Sequence, residues 1–161
     1  MINLDFDGVC VDFIGTAKTF GIEVTQNDFN VWSWDKISPE EFYRRAELQP
    51  WFFKLWDALE ESDHEFKFLT KDFPEEKHSL LWRHGIQFPK TDVIGAEKKE
   101  IYCRRPYDVL IDDNIDNCKA WSKAGGIAYF FDLAQPDPFA DFLSWWNVKA
   151  DEANFPGSEK C

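Results

Sequence analysis

The chain has 161 residues, 44% of them hydrophobic and 17% aromatic, which is enough apolar surface for one cored domain and excludes a disordered or fibrous class. Its net charge of -12 excludes a grip on a long nucleic-acid polymer, because duplex binding rests on Lys and Arg neutralising many phosphates. A small phosphorylated ligand stays open, since one metal and a few local donors overcome the global field.

The first element is the apolar run "INLDF" (2–6), followed at once by Asp7 and Gly8. Asp5 and Asp7 stand two residues apart where this strand ends, so their mutual repulsion calls for a nearby positive charge. Residues 13–62 then break the rhythm of a simple crossover. "DFIGTAKTFG" (12–21), "SPEEFYRRAEL" (38–48) and "PWFFKLWDALEES" (50–62) all read as helices, and Ser38 with Glu41 has capping-box spacing. This segment is expected to be a helical cap inserted after the first strand, with its last helix leading back into the core. Trp51, Phe52, Leu55, Trp56 and Leu59 recur at helical spacing and are expected to form the interior of that cap. Trp32 and Trp34 lie in the irregular stretch "FNVWSWDK", where an aromatic can stack on a base; Trp32 is taken as the candidate.

Strands and helices alternate from there. "EFKFLT" (65–70) ends in Thr70. "PEEKHSLLWRHG" (74–85) has Pro and acids at its start and Gly after it, the signals of a helix. "TDVIG" (91–95) is a strand, "EKKEIYCR" (97–104) a short helix opened by Lys98 and Lys99, and "DVLID" (108–112) a strand that runs into Asp113. "NIDNCKAWSKAGG" (114–126) is a helix, "GIAYFF" (126–131) a fifth strand and "PFADFLSWWNVKA" (138–150) a closing helix. The expected fold is α/β: a Rossmann-like parallel five-stranded sheet with helices on both faces and the helical cap inserted after the first strand. The core is expected over 1–12 and 63–150, the cap over 13–62 and a disordered tail over 151–161.

In an open parallel sheet, ligands gather beyond the carboxyl ends of the strands. Four of these ends deliver Asp5 and Asp7, Thr70, Lys98 and Lys99, and Asp112 and Asp113 to one edge. Carboxylate oxygens without Cys or His suit a hard cation, and magnesium takes one or two protein carboxylates plus a substrate phosphate. Thr and Lys then serve as donors to a phosphoryl group, one carboxylate can attack it, and a second can protonate the leaving oxygen. His64, His78 and His84 have no ligand spacing. Cys10, Cys103, Cys118 and Cys161 are scattered and are expected to be reduced thiols. No charged leader or membrane-length window appears, so a cytoplasmic protein with no membrane partner is expected.

"DFDGV" (5–9), Thr70 at the end of "FKFLT", a lysine of "EKKE" and "DD" (112–113) resemble, in order and over nearly the whole chain, the four motifs of the haloacid dehalogenase (HAD) superfamily of aspartyl-phosphate phosphatases. "DFDGVCVDF" and "DVLIDDN" are most similar to its 5'(3')-deoxyribonucleotidase branch. The resemblance implies Asp5 as nucleophile and magnesium ligand, and Asp7 as acid–base with a carbonyl ligand to the metal. It implies Thr70 and a lysine as phosphate holders, with Lys99 preferred over Lys98. Asp113 becomes the direct metal ligand, and Asp112 a ligand directly or through water. Dehalogenase members lack an acid at the position of Asp7, which favours phosphatase. Phe13 matches a pocket-lining Phe of the nucleotidase branch, and Asp12 is left to line the pocket, orient the cap or cap the next helix. Where members of that branch have Ser and Pro after the threonine, this chain reads "TKDFP", so Lys71 adds charge beside the phosphate and bears on leaving-group preference.

The expected substrate is a small phosphate ester, a nucleoside monophosphate first and a sugar phosphate as the alternative. A receiver-type phospho-acceptor module gathers similar groups, but with the acid pair on its first strand and the lysine last. This chain has the reverse order and a cap that such a module does not need. A catalytically silent relative would not need the full set of motifs.

Overall fold

The computed structural model describes residues 1–26, 34–62 and 64–151. Five strands, β1 (Ile2–Leu4), β2 (Phe66–Thr70), β3 (Val93–Gly95), β4 (Val109–Asp112) and β5 (Ile127–Phe130), form one parallel sheet in the order β3-β2-β1-β4-β5. The central β1 is the point where the chain stops extending the sheet one way and starts extending it the other. Crevices open at such a switch point. Leu4 pairs with both Phe68 and Ile111, so the carboxyl ends of β1, β2 and β4 leave the sheet at one level.

Alternation along the strands sorts side chains to two faces. Ile2, Leu4, Phe68, Val109 and Ile111 join a large apolar cluster with Leu55, Leu80, Leu81 and Phe142. Leu69 and Leu110 point the other way and pack with Ala96 and Trp121. The helices that supply these partners are α3 (Phe52–Glu60), α4 (Pro74–Arg83) and α6 (Pro138–Asp151) on the first face, and α5 (Ile115–Lys123) on the second. No helix among the described residues is long and apolar enough to cross a membrane.

Between β1 and β2 lie α1 (Phe13–Thr19), α2 (Pro39–Arg45) and α3. Asp12 caps α1, its Oδ1 accepting from the Gly15 amide at 2.8 Å, and Ser38 caps α2 by accepting from the Glu41 amide at 3.2 Å. The chain leaves the sheet and returns to it side by side: the Asp12 amide donates to Glu47 O at 2.9 Å and the Gln49 amide to Cys10 O at 2.8 Å.

Two expectations change. The stretch after β3 is a 3₁₀ turn, Lys99–Tyr102, rather than an α-helix; it is only four residues long, and at Cys103 the backbone is extended again. The aromatics of α3 are not a separate cap interior. Trp56 packs against Phe66, Phe68 and Phe88, and Trp51 against Phe131, so α3 belongs to the main core. Helical spacing identified the buried face but not which layer it faces. Trp32 and the tail beyond 151 lie outside the described residues.

Candidate active site

Asp5, Asp112, Asp113, Thr70 and Lys99 are all buried, at the carboxyl ends of the three central strands and the turn after β3. Asp5 follows the last residue of β1, and its Oδ1 accepts from the Phe6 amide at 2.7 Å. Lys99 Nζ lies 2.7 Å from that same oxygen and 2.7 Å from Asp112 Oδ2. Burial alone would lower the pKa of this ammonium, but Asp112 and Asp5 outweigh it and raise it, so Lys99 stays charged. Lys98 is exposed; the tight 3₁₀ turn aims only its neighbour inward.

Asp112 is fully engaged. Besides Lys99 it accepts from the Asn114 amide at 2.8 Å and, on both oxygens, from Asn117 Nδ2 at 3.2 and 3.1 Å. Asn114 itself caps α5, which aims Asn117 one turn later at the same carboxylate. Asp113 is different: its Oδ2 is buried and has no hydrogen-bond partner among the described residues. Burial, then the charges of Asp5 and Asp112, hold the Asp113 carboxyl well above its ordinary pKa; burial and Asp5 push Asp112 up to about 6 against the opposing pull of Lys99. Oxygens of Asp5, Asp112 and Asp113 lie within 4.8 Å of one another. Three carboxylates face one ammonium, an imbalance that a hard divalent cation would neutralise.

Asp7 sits across from this cluster on the loop that Gly8 turns with φ +80°. Its Oδ2 lies 2.7 Å from Lys77 Nζ, and both its oxygens accept from the Tyr43 hydroxyl at 3.0 Å. Lys77 also donates to Thr70 Oγ1 and is only 1% exposed. The aromatic rings of Phe6 and Tyr43 flank its ammonium at 5.8 and 5.4 Å. Burial, then Asp7, raise the Tyr43 phenol well above its ordinary pKa, so it remains a donor.

Lys77 and Tyr43 were not among the residues picked from sequence. A signal for Lys77 exists: with Leu80 and Leu81 it falls on the inward face of α4 at helical spacing, and it stands near the helix start, where the dipole disfavours a cation. Tyr43 had none, since it reaches Asp7 across the insertion. Gln26, just before the undescribed stretch, was also missed. It donates to the carbonyls of Asp113 and Phe131 and accepts from the Leu133 amide, fastening the segment after α1 to the ends of β4 and β5.

These groups line a cavity of about 140 Å³ that Phe13, Trp34 and Tyr43 wall on the side of the insertion. Lys71 stands at its edge and is exposed; Asp12 is taken up as a helix cap. Cys10 donates its thiol to Asp5 O at 3.3 Å, and burial, followed by Asp5 and Asp7, raises its pKa well above the ordinary value. It therefore offers no thiolate nucleophile.

No protein-family model and no curated protein matches the chain. Solved structures do share its fold. A HAD family enzyme from Bacteroides thetaiotaomicron, crystallised with magnesium and inorganic phosphate, superposes with a TM-score of 0.51 at 13% identity, over 83% of this chain and 94% of that one. A haloacid dehalogenase-like hydrolase from Streptococcus pneumoniae superposes with a TM-score of 0.50 at 17% identity, over 88% of this chain and 89% of that one. The chain thus has the fold of the HAD-type hydrolases, with each of these structures matched over most of its length.

Proposed function

We propose that this chain is a magnesium-dependent phosphomonoesterase that works through an aspartyl-phosphate on Asp5. The observation that carries the reading is the split of the site into two halves. Asp5, Asp112 and Asp113 stand around Lys99 with an orphaned buried oxygen on Asp113, and Asp7 stands opposite with Lys77 and Thr70. The fit to magnesium rests on the chain's own atoms: clustered carboxylate oxygens, no nitrogen or sulfur ligand in the cluster among the described residues, and a charge surplus that one lysine leaves open. When bound, magnesium neutralises these carboxylates and part of the substrate's phosphoryl charge.

The remaining work falls to the residues. Thr70 and Lys77 hold phosphoryl oxygens, as does Lys99, which in the meantime keeps Asp5 oriented. An oxygen of Asp5 attacks phosphorus, the bond to the ester oxygen breaks, and protonated Asp7 gives its proton to that leaving oxygen. Water then attacks the phosphorylated Asp5 while the Asp7 carboxylate takes its proton. The Asp5–phosphorus bond breaks, and inorganic phosphate leaves with Asp5 restored.

The substrate read first is a (deoxy)nucleoside monophosphate, on the strength of the aromatic wall of Phe13 and Trp34 over the phosphate end. A sugar phosphate is the second reading, since the same lining also carries the polar side chains of Gln26, Asn114 and Asn117. Lys71 at the edge acts on the leaving-group side in either case. In the same reading, 1–12 and 63–150 form the catalytic core and 13–62 a cap insertion that selects the ester and leads back to the core through α3. A panel of nucleotides and sugar phosphates with magnesium tests this. Turnover of nucleotides is expected, and turnover of sugar phosphates alone would overturn the nucleotidase reading. Asp5→Asn is expected to lower kcat by about 10³-fold or more; retained turnover would remove Asp5 as nucleophile.

A further inference from the structure

We infer that Tyr43 is a positioning residue for Asp7, holding the carboxyl at the angle from which its proton reaches the leaving oxygen. This rests on the phosphatase reading above and adds to it a residue from the insertion.

Asp7 needs such a support. Its side chain is 22% exposed against 11% for Asp5 and none for Asp112, and it lies beyond the end of β1, paired in an isolated bridge with Val11. Lys77 touches only Oδ2, so by itself it leaves the carboxyl plane free to swing about that contact. The Tyr43 hydroxyl stands 3.0 Å from both oxygens, which fixes the plane. Tyr43 is itself closely packed: 2% exposed, with its ring against Phe42 and Trp34 at 5.3 and 6.0 Å.

The helix that carries Tyr43 is held to the helix that carries Lys77. Arg83, in the last turn of α4, donates to the carbonyls of Tyr43, Arg44 and Ala46, the orphan acceptors at the end of α2. Both donors to Asp7 are therefore referenced to α4. With Asp7 protonated on Oδ1, Lys77 and the Tyr43 hydroxyl hold Oδ2 between them, and the single carboxyl proton is left for the ester oxygen. Without it, Asp7 turns toward Lys77 and proton delivery suffers, while binding of the phosphoryl group by Thr70, Lys77 and Lys99 is untouched.

Leaving groups separate this role from a merely structural one. An alkyl phosphate needs its leaving oxygen protonated, whereas a p-nitrophenyl phosphate departs without help. In Tyr43→Phe, kcat/KM, which reports the reaction only up to departure of the leaving group, is expected to fall about 10–100-fold for the alkyl ester and less than about 3-fold for the p-nitrophenyl ester. The variant keeps the ring, so its melting temperature should stay within about 3 °C of the parent. On an Asp7→Asn background, Tyr43→Phe should add no further loss, because the two act as one unit. Equal losses of kcat/KM on the two esters, no loss on the alkyl ester, or an additive loss in the double variant would overturn the proposal while leaving the phosphatase reading intact. A parent protein that hydrolyses neither ester would overturn both.

Discussion

Asp113 is a buried carboxylate whose ionised form the fold disfavours, since burial, Asp5 and Asp112 all raise its pKa. Removing that charge should help the metal-free protein and ruin its response to metal. Asp113→Asn is expected to melt higher than the parent without metal, by about 2–4 °C for each kcal/mol of relief, and to lose most of the rise that millimolar magnesium gives the parent. Calorimetric melting of both proteins with and without magnesium checks this. The pH dependence has a definite sign. Asp112, pushed up to about 6 from 3.8, binds more protons folded than unfolded between those values. Metal-free stability should therefore fall as pH rises from about 4 to about 6, and fall further as Asp113 ionises. A metal-free melting temperature that climbs over this range would contradict the burial argument. Among these residues, Asp5, Asp7 and the Asp112–Asp113 pair were legible because adjacency in sequence preserves adjacency at a strand end. The lysine was left between Lys98 and Lys99 because two neighbours point in opposite directions and only the turn type decides between them. Lys77 and Tyr43 come from helices whose distance to Asp7 is a fact of packing, which a single sequence does not carry.

The elements around the site are tied by a few specific contacts. Arg83 spans α4 and α2 through three carbonyls, but its side chain is largely exposed, so Arg83→Met should cost only about 1 kcal/mol in urea unfolding. Gly126, before β5, is tighter. A Cβ there would lie 2.2 Å from the indole nitrogen of Trp121, which is fully buried and donates to Asp108 O at 3.0 Å, and 2.7 Å from the Cys103 sulfur. Gly126→Ala should destabilise by about 1–3 kcal/mol, again read by urea unfolding, and a neutral result would mean that the indole gives way easily. Sequence located this glycine as the end of a helical pattern, which is correct but incomplete: Gly125 takes the positive φ of +98°, while Gly126 is small for the sake of the indole. Strands and helices were legible because periodicity and capping are local. The turn after β3 was misread because a few residues with polar ends fit either an α or a 3₁₀ pattern, and the layer that α3 faces was misread because periodicity names a face but not its partner.

The molecule as a whole is acidic, with a net charge of -12, yet its cavity has Lys77 and Lys99 within it and Lys71 at its edge. An anionic ester is repelled at long range and attracted at short range. Salt screens the exposed long-range field more than the buried contacts. Raising ionic strength from about 0.01 M to about 0.15 M should therefore raise kcat/KM for a phosphate monoester, the reverse of ordinary electrostatic steering. A steady fall would show that the local lysines dominate at every distance. The order of strands was legible to the extent that the first strand's two acids had to meet the fourth strand's two; that β1 sits at the centre is the arrangement that lets them.

The stitched neck of the insertion has an evolutionary reading. Because residues 10–12 and 47–49 are hydrogen-bonded neighbours, what hangs beyond them is a closed loop, and doubling a loop's length adds only about 0.6 kcal/mol of closure entropy. Such a head can be traded for one of another size without disturbing the sheet, so lineages built on this scaffold can change their diet cheaply. Tyr43 sets a condition on that exchange. Any replacement head must bring its own donor to Asp7, or it inherits a site that still grips its ester but releases the alcohol slowly.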